Sequence, residues 1–314
     1  MSNKQPPELP STEEVKQAIE SFLKNEDWSR HTDVEGADEF LERMRTRLGV
    51  LARSFVLLIR PNIPPTGQRF YRLRLSKTPL NEGLLSEYGP PPIDRAGFDR
   101  CSIIGHPVMY CSANRATTFQ ETLFVATETA PLQYGYLSEW KVREGCKVHM
   151  TPFVFSELPE TSELHPMVAF ARAAVRKQLA TQYSPGQING VLETMEYLSQ
   201  LFLNDTAKSI SSFIAHSHLY ANNPARPDIF LYPSIQANRL RANFAIQPNS
   251  LHKMELVKVY VCEISDFEPI EKHFNITWTI AKENHDGVLD RRLINLEDDA
   301  TLSLKLLEDF QGMP

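Results

Sequence analysis

The stretch Arg95-Ala96-Gly97-Phe98-Asp99-Arg100-Cys101-Ser102-Ile103-Ile104-Gly105-His106-Pro107-Val108-Met109-Tyr110-Cys111-Ser112, with Thr117-Thr118-Phe119-Gln120-Glu121-Thr122 close behind it, decides how the chain is read. Gly97 and Gly105 punctuate a loop that carries Arg95 and Arg100. Pro107 to Cys111 is a short apolar run of the buried-strand type. Thr117 to Ala126 has the character of a helix start. Loop, strand and helix in this order bring a guanidinium, a phenol ring and a carboxylate toward one cleft, from Arg100, Tyr110 and Glu121. A plainer account is open at this point: Tyr110 is a core residue, and Glu121 is a helix-N-terminal acid stabilised by the macrodipole.

Upstream, Gln68–Leu75 reads as a strand in which Phe70, Arg72 and Arg74 alternate with Arg69, Tyr71, Leu73 and Leu75. Arg72 and Arg74 therefore share a face, either in a site or as a solvated face paired with acids. Downstream, Tyr134–Val142 and Cys146–Met150 have strand character. Helical spacing follows at His165–Ala180, after Pro185 (a favourable first helical residue), and over Ala207–Leu219. Strand character returns at Ile229–Ser234, Asn243–Ile246, Leu256–Cys262 and Ile276–Ile280. One of these strands ends in Tyr232-Pro233-Ser234, and a polar loop re-enters the next through Asn243. Alone, Ser234 and Asn243 are equally suited to satisfying backbone groups in a tight turn.

At the N-terminus, residues 1–10 are polar and Pro-rich, as in a disordered start. Ser11-Thr12-Glu13-Glu14 reads as a capping box opening a helix. A second helix is expected over about Ala37–Leu51, and Pro61–Gly67 as a turn-rich linker. The division is then an N-terminal helical appendage, 1–60, and a main domain, 61–314, interrupted by a helical insert at about 160–222. The succession of helix pair, strands, helices and strands indicates α+β.

The chain has 314 residues, with 33 Lys and Arg against 39 Asp and Glu, a formal charge of −6. Apolar residues are 42 % and charged residues 23 % of it, ordinary globular values that exclude a disordered chain and a strongly basic nucleic-acid binder. No apolar run approaches a membrane helix and no secretion signal opens the chain, so an intracellular, cytoplasmic protein is expected. Cys101, Cys111, Cys146 and Cys262 lack metal-ligand spacing, and His216-Ser217-His218 does not share a helix face, so no metal is expected. Motifs for a dinucleotide-binding turn, a P-loop, a hydrolase elbow and a zincin are absent from the sequence.

In combination, Tyr71-Arg72, then Arg100-Cys101-Ser102, Gly105, Pro107-Val108 and Tyr110, then Thr117 to Glu121, then Tyr232-Pro233-Ser234 and Asn243 resemble the RES-domain family, which contains NAD-degrading toxins of bacterial toxin–antitoxin pairs. The likeness spans Tyr71 to about Pro248. It departs from the family at Ser102, where an asparagine is frequent, and in the length of the helical insert.

The resemblance implies an ADP-ribosyltransferase-like fold with two small sheets and flanking helices. It implies cleavage of the nicotinamide–ribose bond, by water or by phosphate, with NAD as a substrate and no cofactor. Nicotinamide leaves from a positively charged glycosidic centre, so the reaction needs a carboxylate near an oxocarbenium-like ribose more than a general acid. Glu121 takes that role by likeness, with Arg72 and Tyr110 as its catalytic companions: Arg72 a forked donor to the pyrophosphate, Tyr110 a ring against the nicotinamide. Arg100, Ser234, Asn243, Tyr71 and Ser102 are the expected substrate-binding residues, and Arg74 and Arg95 substitutes for the arginine roles. A cognate helix-turn-helix antitoxin and self-association are implied partners. Two other classes fit the same residues: a mono-ADP-ribosyltransferase, disfavoured by the lack of a clear Glu-x-Glu, and an inert NAD-binding module.

Overall fold

The computed structural model describes residues 8–23, 36–53, 67–81, 83–124, 130–153, 158–222, 226–268, 273–285, 288–293, 304 and 308. The chain is α+β, and among these residues its strands form a nine-stranded sheet in the order β4-β5-β6-β2-β1-β3-β7-β8-β9. The strands are β1 Arg69–Ser76, β2 Met109–Ser112, β3 Ala130–Val142, β4 Met150–Pro152, β5 Ile229–Pro233, β6 Ala242–Ile246, β7 Met254–Glu268, β8 His273–His285 and β9 Val288–Leu293. Neighbours are antiparallel except β4 and β5, which run parallel.

The sheet has a seam. β1 pairs with β3 along its whole length, from Arg69 opposite Lys141 to Ser76 opposite Tyr134. Its pairing with β2 is confined to Tyr71 opposite Ser112. On one side of the seam lie the short strands β4, β5, β6 and β2, and on the other the long strands β1, β3, β7, β8 and β9. Where two small sheets were expected, one sheet narrows to a single residue pair. The edge-to-face rings of Phe70 on β1 and Phe244 on β6, 4.9 Å apart, hold the halves together.

The helices follow from caps and apolar spacing. Helix α1, Thr12–Leu23, opens on the expected capping box: Ser11 N–H and Oγ–H donate to Glu14 Oε2 at 2.8 Å, and Glu14 N–H returns to Ser11 Oγ at 3.3 Å. Helix α2, Ala37–Leu48, buries Phe40, Leu41, Met44 and Leu48, and ends at Gly49 in left-handed backbone, φ 50°. A one-turn helix, α3, Val50–Arg53, follows it. Helix α4, Arg115–Leu123, is capped by Asn114, whose side chain accepts from Thr117 N–H at 2.8 Å. The expected insert is the helical layer α5, His165–Leu179, α6, Pro185–Asn204, and α7, Ile210–Leu219, with Pro185 in the first turn of α6 and Ser184 capping it.

The reading of residues 1–60 as an appendage is corrected. Val15, Phe22, Phe40, Met44, Leu48 and Leu51 are buried in the same core cluster as α5, α6, α7 and the short strands. Leu9 and Pro10 are buried as well, so the polar start does not extend to residue 10. The chain entering α1 crosses α6 at Gly190, where an added Cβ would stand 2.7 Å from Pro10 O and 2.8 Å from Ser11 C. A glycine is required there because backbone, not a movable side-chain end, fills the space. Apart from Gly67, the linker expected at 61–67 lies outside the described residues.

A second, smaller cluster lies on the other face of β1. It joins Tyr71, Leu73, Leu137, Cys262 and Ile264 to Phe119 and Leu123 of α4. Alternation along β1 thus sends Phe70 into the large core and Tyr71 beneath α4.

Candidate functional site

The seam between β1 and β2 opens into a cleft of 340 Å³. Past Tyr71 the two strands part, and side chains from both halves of the sheet turn into the gap. Arg72 enters from β1, Tyr110 and Ser112 from β2, Thr118 and Glu121 from α4, Tyr232 from the end of β5, Asn243 from β6, and Asp99 and Arg100 from the loop before β2.

Arg72 is half-buried, and its Nη1 donates to Tyr110 O at 3.4 Å, a long hydrogen bond that stands where a strand partner is missing. Its Nε has no protein partner among the described residues. Burial lowers the Arg72 pKa from its ordinary value, with Cys111 opposing and Arg74 adding to the fall. A guanidinium stays charged under such a shift, so the cleft holds an under-bonded cation.

Glu121 lies in the last part of α4, not at its start, because Asn114 rather than Thr117 begins the helix. The macrodipole account is thereby removed: the C-terminal end of a helix disfavours a carboxylate. What holds Glu121 is Ser234, whose Oγ–H donates to Glu121 Oε1 in a short contact. Ser234 is fully buried at the end of β5, and its Oγ also accepts from Ala237 N–H at 3.0 Å. Serine and glutamate, far apart in sequence and on opposite sides of the seam, thus meet directly.

Comparison of the chain with protein-family models, with curated proteins and with solved structures finds no match.

The remaining expected residues divide. Arg100 lines the cleft and is anchored through Nη1 to Phe202 O at 2.8 Å, at the C-terminal end of α6, with its guanidinium over the Phe202 ring at 5.7 Å. Asn243 lines it too, its Oδ1 accepting from Ser112 Oγ at 2.7 Å across β6 and β2. Tyr110 contributes to the cleft while its hydroxyl is committed elsewhere: it accepts from Cys101 N–H at 2.8 Å and donates to Ser102 Oγ at 3.4 Å. Burial, chiefly, pushes the Tyr110 phenol well above its usual range, so it remains a neutral anchor for the 95–107 loop. Tyr232 beside it is raised for the same first reason.

Tyr71 lines the cleft as well, whereas Ser102 is placed differently from the substrate-contacting role expected of it. The Tyr71 ring packs beneath α4 with the Arg115 guanidinium over it at 4.6 Å, and Tyr71 O accepts from Thr118 Oγ1 at 3.3 Å. Its work is to seat α4, and hence Glu121, on β1. Ser102 is buried outside the cleft lining, its hydroxyl donating to Gly97 O at 2.9 Å. Arg74 is paired with Glu87 and donates to Glu87 O at 2.8 Å, and Arg95 is exposed away from the cleft, so neither replaces Arg72 or Arg100.

Sequence reasoning missed Asp99, Lys208, Thr118 and Gln236, which also line the cleft. Lys208 sits in the connection between α6 and α7 and reaches Asp99 Oδ1 at 2.6 Å. No local motif announces it, since its partner is distant along the chain. Among the described residues there is no cluster of His, Cys, Asp and Glu suited to a metal ion, and no helix long and apolar enough to cross a membrane.

Proposed function

We propose that the chain is an NAD-consuming enzyme that cleaves the nicotinamide–ribose bond on an ADP-ribosyltransferase-like scaffold. One observation carries the reading. Glu121, held by the buried Ser234 across the seam of the sheet, lines the same cleft as the under-bonded Arg72 and the anchored Arg100. A carboxylate fixed by a buried hydroxyl, facing two guanidinium groups, is the set of charges that an oxocarbenium-like ribose and a pyrophosphate require.

In this reading the C1′–N bond breaks and its electron pair leaves with neutral nicotinamide, so no proton is donated to the leaving group. The Glu121 carboxylate stabilises the positive ribose, and Ser234 holds its orientation. Arg72 and Arg100 bind the pyrophosphate. The Tyr110 ring lies against the nicotinamide and excludes water from its face. Water or phosphate forms the new bond to C1′; with water a proton is released to solvent and ADP-ribose results. A toxin role, and a helix-turn-helix antitoxin that blocks the cleft, are proposed on the family likeness of Tyr71-Arg72, Arg100, Tyr110, Glu121, Ser234 and Asn243.

The purified protein is incubated with NAD, with and without phosphate, and free nicotinamide and the ribose-bearing product are followed. Nicotinamide with free ADP-ribose or its 1″-phosphate supports the reading. Label transferred to a macromolecule would indicate a mono-ADP-ribosyltransferase instead, and no nicotinamide at all would indicate an inert module.

A further inference from the structure

We propose that Lys208 is a phosphate-binding residue of the cleft, held in the free chain by Asp99, and that it selects ligands that carry a pyrophosphate. The proposal rests on the reading of the cleft as a dinucleotide site, and it adds a residue and a specificity to it.

Three cations line the cleft from three separate elements: Arg72 on β1, Arg100 in the loop before β2, and Lys208 between α6 and α7. Asp99 and Glu121 are the acids facing them. Glu121 is engaged by Ser234, and Arg72 Nε has no protein partner among the described residues. Among the described residues Lys208 is engaged across the rim, with Nζ 2.6 Å from Asp99 Oδ1, and the two side chains are 48 % and 44 % exposed. An ion pair that open to water is weak, so an incoming anion exchanges for the carboxylate at little cost.

The two partners differ in rigidity. Asp99 is fixed: its N–H donates to Ser102 O at 3.0 Å and its O accepts from Ser102 N–H at 3.3 Å. Its Oδ1 also accepts from Arg100 N–H at 2.8 Å. Lys208 rides on a connection between helices. It adopts left-handed backbone, φ 60°, which glycine occupies freely and a lysine only with strain. The Lys208 ammonium stands at the mouth of a cleft that also holds the Arg72 and Arg100 guanidinium groups, and three cations on one cleft point to an anionic ligand. The ligand is an anion with oxygens on two phosphorus atoms, wide enough to reach the arginines and the lysine together.

The test is calorimetric titration with inorganic pyrophosphate, with nicotinamide release from NAD measured in parallel. Wild type binds pyrophosphate, and Lys208→Met weakens that binding about tenfold, the loss of one charge-assisted contact. Asp99→Asn strengthens it, because the competing charge is gone while the side-chain oxygen still accepts from Arg100 N–H. Lys208→Gly loses binding as Lys208→Met does, yet unfolds at the wild-type temperature or above, because the strain is relieved. Wild-type affinity in both Lys208 variants, or no binding of pyrophosphate by wild type, overturns the proposal. So does Lys208→Gly that is destabilised with binding intact, which would make Lys208 structural. Wild type that binds pyrophosphate through Lys208 but releases no nicotinamide keeps this proposal and overturns the NAD reading. Wild type that releases nicotinamide, with KM unchanged in Lys208→Met, does the reverse.

Discussion

The two halves of the sheet are built on different principles. In the half made of β4, β5, β6 and β2, the strands are short, and Ile229–Pro233 and Ala242–Ile246 are buried at every position. In the other half, β3 and β7 are long, and β1 alternates between the large core and the small cluster under α4. Neither half holds a complete set of site groups. Ser234, Asn243 and Tyr110 belong to the first, Arg72 and the α4 residue Glu121 to the second, and the cleft exists because β1 and β2 pair only at Tyr71 and Ser112. The lesson is that the place where a sheet is least continuous is where polar groups from both sides can face one another without spoiling a ladder.

Breaking the join has the largest expected effect on stability. Phe244→Ala removes a buried ring that packs on Phe70 across the seam, and about 3–5 kcal/mol of stability is expected to go with it, read by denaturant unfolding. Within the helical layer that covers the short strands, Gly190→Ala forces the Pro10–Ser11 backbone away from α6. A loss of about 1–3 kcal/mol is expected, with the α1 amides losing hydrogen-exchange protection first. At the seam itself, Arg72→Ala is expected to raise the KM for NAD about tenfold while changing stability little, since the hydrogen bond from its guanidinium to Tyr110 O is long. The smallest effect is expected two residues on. Arg74→Ala breaks a half-exposed pair with Glu87, costs less than about 1 kcal/mol, and leaves KM unchanged. The two arginines share a face of β1, so if Arg74→Ala moved KM as much as Arg72→Ala, the cleft would extend along that face to Arg74 and the Glu87 pair would not keep it out of the site.

Legibility followed the same division. Of the short strands, β2, β5 and β6 are readable because burial on both faces leaves continuous apolar runs, as in Ile229-Phe230-Leu231-Tyr232, whereas β4 is Met150–Pro152 where Cys146–Met150 is expected. The long strands were recognised only in part: β7 runs over Met254–Glu268 where Leu256–Cys262 was expected, and β9 went unread, because neighbouring strands rather than local residues set their ends. For α4 the helix begins at the Asn114 cap and not at Thr117, and that offset of one turn puts Glu121 near the helix end where the sequence reading puts it near the start. Amphipathic spacing disclosed the apolar faces of α1 and α2 but not what they cover, and so they were read as an appendage. Among the site residues, Tyr71, Arg72, Arg100, Tyr110, Glu121 and Asn243 line the cleft, and Ser234 lies against it on Glu121. The direction of the Ser102 hydroxyl and the Lys208–Asp99 pair are tertiary facts with no local signature.

The central claim of the proposed function is that the Glu121 carboxylate, held across the seam by the buried Ser234 hydroxyl, stabilises the ribose from which nicotinamide leaves. The most direct measurement is the rate of nicotinamide release at saturating NAD by wild type and by Glu121→Gln, with unfolding temperatures taken alongside. The account predicts a loss of at least about a hundredfold with the unfolding temperature little changed, because the amide keeps an acceptor for Ser234 but not the charge. A Glu121→Gln protein that releases nicotinamide at the wild-type rate would contradict it.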